Sequence, residues 1–207
     1  MHIPDGLLPV DQSICLLAIS FVILAVFFYR SSKKVNMSER LVLTGVLTAI
    51  TVVATSLTIP SPIGIPMHFF IIPLVVLILG PCSAALVAFI ALLVEALVLG
   101  NGGVLSLGAN ILNMGIVLSV VVYFVYRLFE SINKRVAIFI STILGILAAT
   151  TAQILILTIA NVTSLNVLLA SLLPYYLMIG VMEGIINVIV IEFISKMNYS
   201  ILDVEKV

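Results

Sequence analysis

Between Arg40 and Arg127 this chain carries a single charged side chain, Glu95. A soluble domain has about 25% charged residues spread over its surface. Here 9% of the 207 residues are charged and 63% are hydrophobic, so the surface needed to face water is missing. Lipid must be the solvent. The fold class that follows is all-α, a polytopic membrane helical bundle, because a helix satisfies its own backbone polar groups within one segment.

A helix needs roughly 20 apolar residues to cross the hydrocarbon. Apolar runs broken by Gly, Pro or charge give about seven spans, near 12–29, 41–59, 68–80, 82–100, 107–127, 136–160 and 170–195. The whole of 1–207 is one transmembrane domain on this reading, with 1–11 as a segment ahead of the first span. The run 68–80 is too short to cross alone and stops at Gly80-Pro81. It predicts a short helix or the first half of a broken one.

Charge sets the orientation. The nine basic residues are Arg30, Lys33, Lys34 and Arg40, then Arg127, Lys134 and Arg135, then Lys196 and Lys206. With about seven spans and the N-terminus outside, all of them lie on the cytoplasmic side, as the positive-inside rule requires. The opposite loops, near 60–67, 101–106 and 161–169, carry none. The C-terminus is then cytoplasmic and the chain a multi-pass protein of the cell membrane. No basic region precedes the first apolar run, and Arg30 to Lys34 follow it. This predicts a retained N-out anchor and not a cleaved signal peptide.

Nine acidic residues balance the nine basic ones, so no basic footprint argues for nucleic acid. Cys15 and Cys82 both lie in apolar runs and read as small hydrophobes, since a metal or disulfide framework uses more cysteines at short spacing. There is no G-x-x-x-x-G-K-[ST] sequence, so any ATP-driven step belongs to another chain.

Only two histidines are present, His2 and His68, and the predicted topology puts both on the outer side. A free amine at Met1, the amide nitrogen of His2 and its imidazole Nδ1 can close fused chelate rings around one ion. An imidazole from His68 then supplies a fourth nitrogen. Planar nitrogen coordination suits Ni2+, Cu2+ or a planar Co2+ complex, whereas zinc prefers a tetrahedron. Asn110 and Asn113 stand i,i+3 near the outer end of a span, where amides either bond between helices or orient ligands. Asp5 and Gly6 are candidates to brace the turn that sends the N-terminus inward. Glu95 and Glu183 lie within spans, which demands a partner; Asn187, Gln153 and backbone groups are the candidates, and a place on the path of a metal ion is the alternative.

These residues resemble the CbiM/NikM substrate-binding subunits of cobalt and nickel energy-coupling-factor transporters over nearly the whole chain. The resemblance rests on Met1-His2-Ile3-Pro4-Asp5-Gly6, on the loop ending at His68, and on Leu79-Gly80-Pro81. It rests above all on Gly102-Gly103 followed by Leu107-Gly108-Ala109-Asn110-Ile111-Leu112-Asn113-Met114. It implies a seven-helix substrate-capture (S) component with no resident cofactor, transporting Ni2+ or Co2+. It further implies a metal site formed by the amine of Met1, the amide and side chain of His2, and His68. The implied partners are a transmembrane coupling subunit, cytoplasmic ATPase subunits and, in some systems, a small accessory membrane subunit. Gly45 and Ala49 form a small-xxx-small pair on the second span, which packs within the bundle or meets the coupling subunit. The chain departs from the family around His68, where Ile65-Pro66-Met67 and Phe69-Phe70 replace small residues. Two other functions compete: a non-transporting metal receptor, and a metal-dependent membrane enzyme, which would need an open metal position and a placed acid or base.

Overall fold

A computed structural model describes residues 2–33, 37–56 and 68–196. Met1, Lys34, Lys206, the outer loop ahead of His68 and the C-terminal tail lie outside the described residues. The described helices are α1 (Val10–Ser32), α2 (Met37–Ser56), α3 (Ile72–Leu79), α4 (Pro81–Leu99), α5 (Leu107–Phe129), α6 (Lys134–Ile159) and α7 (Leu165–Lys196). Among the described residues there is no strand. Helices α1, α4, α5, α6 and α7 are each long and apolar enough to cross a membrane. The chain is a multi-pass membrane protein.

Helices α1 and α2 are built inside out. α1 buries Ser13, Ser20, Leu24 and Ser31 while exposing Ile14, Phe21, Val22 and Phe28. α2 buries Thr48, Thr51 and Thr55 while exposing Val42, Val46, Ile50 and Val53. In water this arrangement would cost the transfer energy of every exposed apolar side chain. Against lipid it costs nothing, and the buried hydroxyls bond locally, as Thr51 does to Leu47 O and Thr48 to Thr44 O. α3 differs, being apolar throughout and enclosed by protein. It packs on α4, whose Ala84, Ala85, Ala88 and Ala91 are all buried. Small residues like these let backbones approach where no hydrophobic effect drives association.

The basic side chains gather at one end. Arg40 on α2 donates to Leu79 O at the end of α3 (2.7 Å) and to Ser83 Oγ (3.1 Å) on α4. The Ser31 and Ser83 hydroxyls meet at 3.0 Å, tying α1 to α4 there. Arg135 of α6 pairs with Glu192 of α7 at the same end. Two π-helical segments interrupt the regular helices, Glu95–Leu99 closing α4 and Ile111–Val117 within α5. Both flank the loop 100–106, onto which the N-terminal segment folds at the opposite end.

The expected third span, 68–80, begins differently from the reading of its apolar run. Residues 68–71 are not helical, and the helix starts at Ile72. The cause is a side chain from α7, described next.

Candidate metal centre

The N-terminal segment is held by its backbone. Ile3 N–H donates to Asn110 Oδ1 at 2.8 Å, and Asn110 Nδ2 donates back to Ile3 O at 3.1 Å. One amide side chain thus satisfies a buried peptide on both edges. Ser106 Oγ adds a second donor to Ile3 O at 2.6 Å. The Ile3 side chain is 1% exposed and packs with Leu8, Ala109, Ile154, Leu157 and Leu168. Asp5 then clamps the α4–α5 loop, its carboxylate accepting Val104 N–H (3.0 Å), Ser106 N–H (3.0 Å) and the Ser106 hydroxyl (3.1 Å). Gly6 follows with φ +88°, a turn conformation that disfavours a Cβ.

Two glycines make this approach possible. A Cβ at Gly103 would lie 1.9 Å from Asp5 Oδ1 and 2.5 Å from Asp5 N. One at Gly108 would lie 2.3 Å from the backbone of Leu17, where α1 crosses α5 and Ser20 Oγ donates to Gly108 O (2.7 Å). The GGxxxLGAN pattern is therefore a docking surface for the N-terminal segment and for α1.

This clamp delivers His2 to His68. The two imidazole centroids stand 4.9 Å apart with their planes tilted by 37°. His2 Nε2 lies 3.3 Å from Glu95 Oε2, and Glu95, only 1% exposed, accepts the Thr55 hydroxyl on its other oxygen. His2 Nδ1 is buried and has no hydrogen-bond partner. Burial pushes the His2 imidazole well below its ordinary pKa, and pushes His68 down to about 3. Both rings are neutral at physiological pH, which is the form that ligates metals.

His68 is placed by a carboxylate from α7. Glu183 is fully buried, with Oε2 accepting Phe70 N–H (2.9 Å) and Oε1 accepting Ile71 N–H (2.8 Å). Those amides are thereby satisfied ahead of α3, and residues 68–71 stay outside the helix. Ile71 sits at φ 60°, a β-branched residue in the left-handed region. That conformation costs on the order of 1–3 kcal/mol, and two bonds from one carboxylate can offset it. The His68 ring rests on Phe70 (5.4 Å), which rests on Tyr176 (5.9 Å).

Among the expected site residues, His2, His68, Asp5, Gly6 and Asn110 converge on this end of the bundle. Asn113 does not join the clamp. It is buried inside the π segment, and neither its side-chain oxygen nor its nitrogen has a hydrogen-bond partner. The wider turn of that segment rotates it off the face that Asn110 presents. Gly45 and Ala49 lie on the exposed face of α2, where a Cβ at Gly45 meets nothing within 4 Å. Met1 lies outside the described residues. Glu95 and Ser106 are partners of the site that no motif marked. Glu95 did carry one signal, a lone carboxylate in a long uncharged stretch. Among the described residues no three His, Cys, Asp or Glu side chains gather as a ligand set. The nitrogen-bearing side chains that meet here are the two imidazoles.

Known proteins resemble this chain in sequence and in fold. The profile of the CbiM family, described as "Cobalt uptake substrate-specific transmembrane region", matches residues 2–201. A cobalt transport protein CbiM of Clostridium tetani is 33% identical over 205 residues, covering 95% of this chain and 85% of that protein. A protein of Archaeoglobus fulgidus, provisionally named a fused nickel transport protein NikMN, is 33% identical, covering 98% of this chain and 68% of its own length. A crystal structure of a truncated transition metal transporter superposes with a TM-score of 0.87 at 28% identity, covering 96% of this chain and 100% of that one. Matched from residue 2 to residue 201 and one-third identical to these relatives, the chain belongs to the CbiM family.

Proposed function

We propose that this chain captures Ni2+ or Co2+ outside the cell as the substrate-binding subunit of an ATP-driven importer of the energy-coupling-factor type. The observation that carries the reading is the meeting of the chain's only two histidines, with His2 Nδ1 buried and left without a partner. The Met1 amine, the His2 amide nitrogen and His2 Nδ1 supply three nitrogens, and His68 supplies the fourth. Square-planar nitrogen donors suit Ni2+ and a planar Co2+ complex. The rings bind without first losing a proton, so the proton released on binding comes from the main-chain amide, and affinity falls as pH drops.

A divalent ion cannot cross hydrocarbon unaided, because even one bare charge there costs several kcal/mol. Capture outside must therefore couple to movement of the bundle, driven by cytoplasmic ATPases through a transmembrane coupling subunit. A small accessory membrane subunit is a further candidate partner. The exposed Gly45–Ala49 face of α2 is the surface we assign to the coupling subunit.

The test compares purified protein with a free N-terminus against protein acetylated there or extended by an N-terminal tag. Capping or extension removes at least one donor and is expected to abolish Ni2+ and Co2+ binding, whereas a C-terminal tag leaves it intact. Full affinity in the N-terminally extended protein would exclude the chelate.

A further inference from the structure

Glu95 has no place in the ligand set, yet its position asks for one. It opens the π-helical end of α4 and is 1% exposed. π segments inside helices are frequent at functional sites, since the inserted residue re-aims its neighbours. Here the carboxylate is aimed at the ring of His2. Oε1 is hydrogen-bonded with the Thr55 hydroxyl of α2, which fixes the orientation of the group. Oε2 is buried without a hydrogen-bond partner and lies 3.3 Å from His2 Nε2, the nitrogen nearest to it across the gap. On the far edge of the same ring, Nδ1 is buried without a partner.

A neutral imidazole carries one proton, on one of two nitrogens, and the hydrogen bond made by one nitrogen decides the state of the other. If the proton sat on Nδ1, it would be buried and unbonded while Nε2 and Oε2 faced each other as two acceptors. Both halves of that arrangement are unfavourable, the first by about 1–3 kcal/mol for an unpaired buried donor. With the proton on Nε2, Glu95 accepts it and Nδ1 is left bare. We infer that Glu95 is the positioning residue of the metal site: it holds the Nε2–H of His2, fixes the tautomer, and turns a bare Nδ1 toward the cargo ion. Carboxylates that take the outer N–H of a metal-binding histidine act in this way, orienting the ring and raising its basicity. Here the device stands ready before the ion arrives, because the carboxylate and its threonine anchor come from α4 and α2, not from the N-terminal segment.

This inference rests on the capture reading for its purpose, though not for its test. The experiment uses metal-free, full-length protein in which the histidines carry 15N, at neutral pH. With two histidines in the chain, His68→Asn leaves the His2 signals alone for assignment. Ring 15N shifts and couplings should report a protonated Nε2 and a bare Nδ1 in the wild-type chain. Glu95→Ala should give a mixture of tautomers and weaken Ni2+ binding by about 10- to 100-fold, the range for loss of such a partner. Glu95→Gln keeps an oxygen that can accept Nε2–H, so it should restore the wild-type tautomer, and unchanged His68 signals show that the fold is kept. A protonated Nδ1 in the wild-type chain would overturn the inference, as would a Glu95→Ala protein with the wild-type tautomer. Failure of the wild-type chain to bind Ni2+ or Co2+ with the tautomer as stated would remove the capture reading and leave this one standing.

Discussion

Two buried carboxylates from different helices place the two imidazoles, and they do so by different chemistry. Glu95 addresses a ring, whereas Glu183 addresses a backbone and moves a ring indirectly. Removing Glu183 strands two buried N–H groups, at about 1–3 kcal/mol each. Glu183→Ala should therefore destabilise the chain by about 2–5 kcal/mol and lower Ni2+ affinity by freeing the His68 segment. Glu183→Gln keeps one accepting oxygen and should lose about half as much. Thermal unfolding in detergent, read beside metal titration, checks both; an unaltered Glu183→Ala protein would show that Phe70 and Ile71 are held by other means. The histidine pair could be read from the sequence because there are only two and the charge pattern puts them on one side. Both glutamates could be read as needing partners. Their partners could not be named, since Glu183 bonds to residues more than a hundred positions away in the chain, and through amides every residue has. Ser106 is harder still: a serine in a loop carries no mark of the two groups it joins, Ile3 O and the Asp5 carboxylate.

At the scale of elements, punctuation in the sequence was reliable and periodicity was not. Gly80-Pro81 marks the end of α3, because Pro at the first turn of a helix loses no bond and Gly80 takes φ 79°. The start of α3 has no such mark, because His68 to Ile71 continue an apolar run whose amides are claimed by Glu183. The π segments are equally hidden. Asn110 and Asn113 share a face at the ordinary helical spacing, and the widened turn from Ile111 to Val117 separates them. α2 is a different case, since its pattern reads correctly but the described residues leave its outward face uncovered. It packs through threonines on one side and leaves Gly45 and Ala49 uncovered on the other. Gly45→Leu adds a side chain that meets nothing in the chain itself. Metal affinity and thermal stability of the purified chain should stay within about 0.5 kcal/mol of wild type, as for a surface site. Metal accumulation by cells supplied with the ATPase and coupling subunits should fall. Unchanged accumulation would move the coupling interface off this face.

Over the whole molecule, the fold class was written in where charge is missing, and the structure adds that the ends of the bundle are chemically distinct. One end holds Lys134 together with Arg40, bound to Leu79 O and Ser83, Arg127, paired with Glu130, and Arg135, paired with Glu192. The other holds the neutral histidines, the Asp5 clamp and the α6–α7 turn, whose Val162 packs with the cluster around Ile3. The positive-inside rule predicts that a bundle with this asymmetry inserts with its basic end in the cytoplasm, which would turn the histidine end outward, as the proposed capture of the ion requires. Exposed sites at the two ends make this measurable. Thr163 lies at the histidine end, and Ile132, 77% exposed, lies in the turn between α5 and α6 at the basic end. With Cys15 and Cys82 replaced by serine, Thr163→Cys should react in intact cells with a thiol reagent that cannot cross the membrane. Ile132→Cys should react only after the cells are opened. The reverse pattern would turn the bundle over and put the histidines where metal is released instead of where it is caught. It would also change what the inverted helices α1 and α2 imply: lipid would still cover their apolar faces, but the clamp on Ile3 and Asp5 would guard an exit.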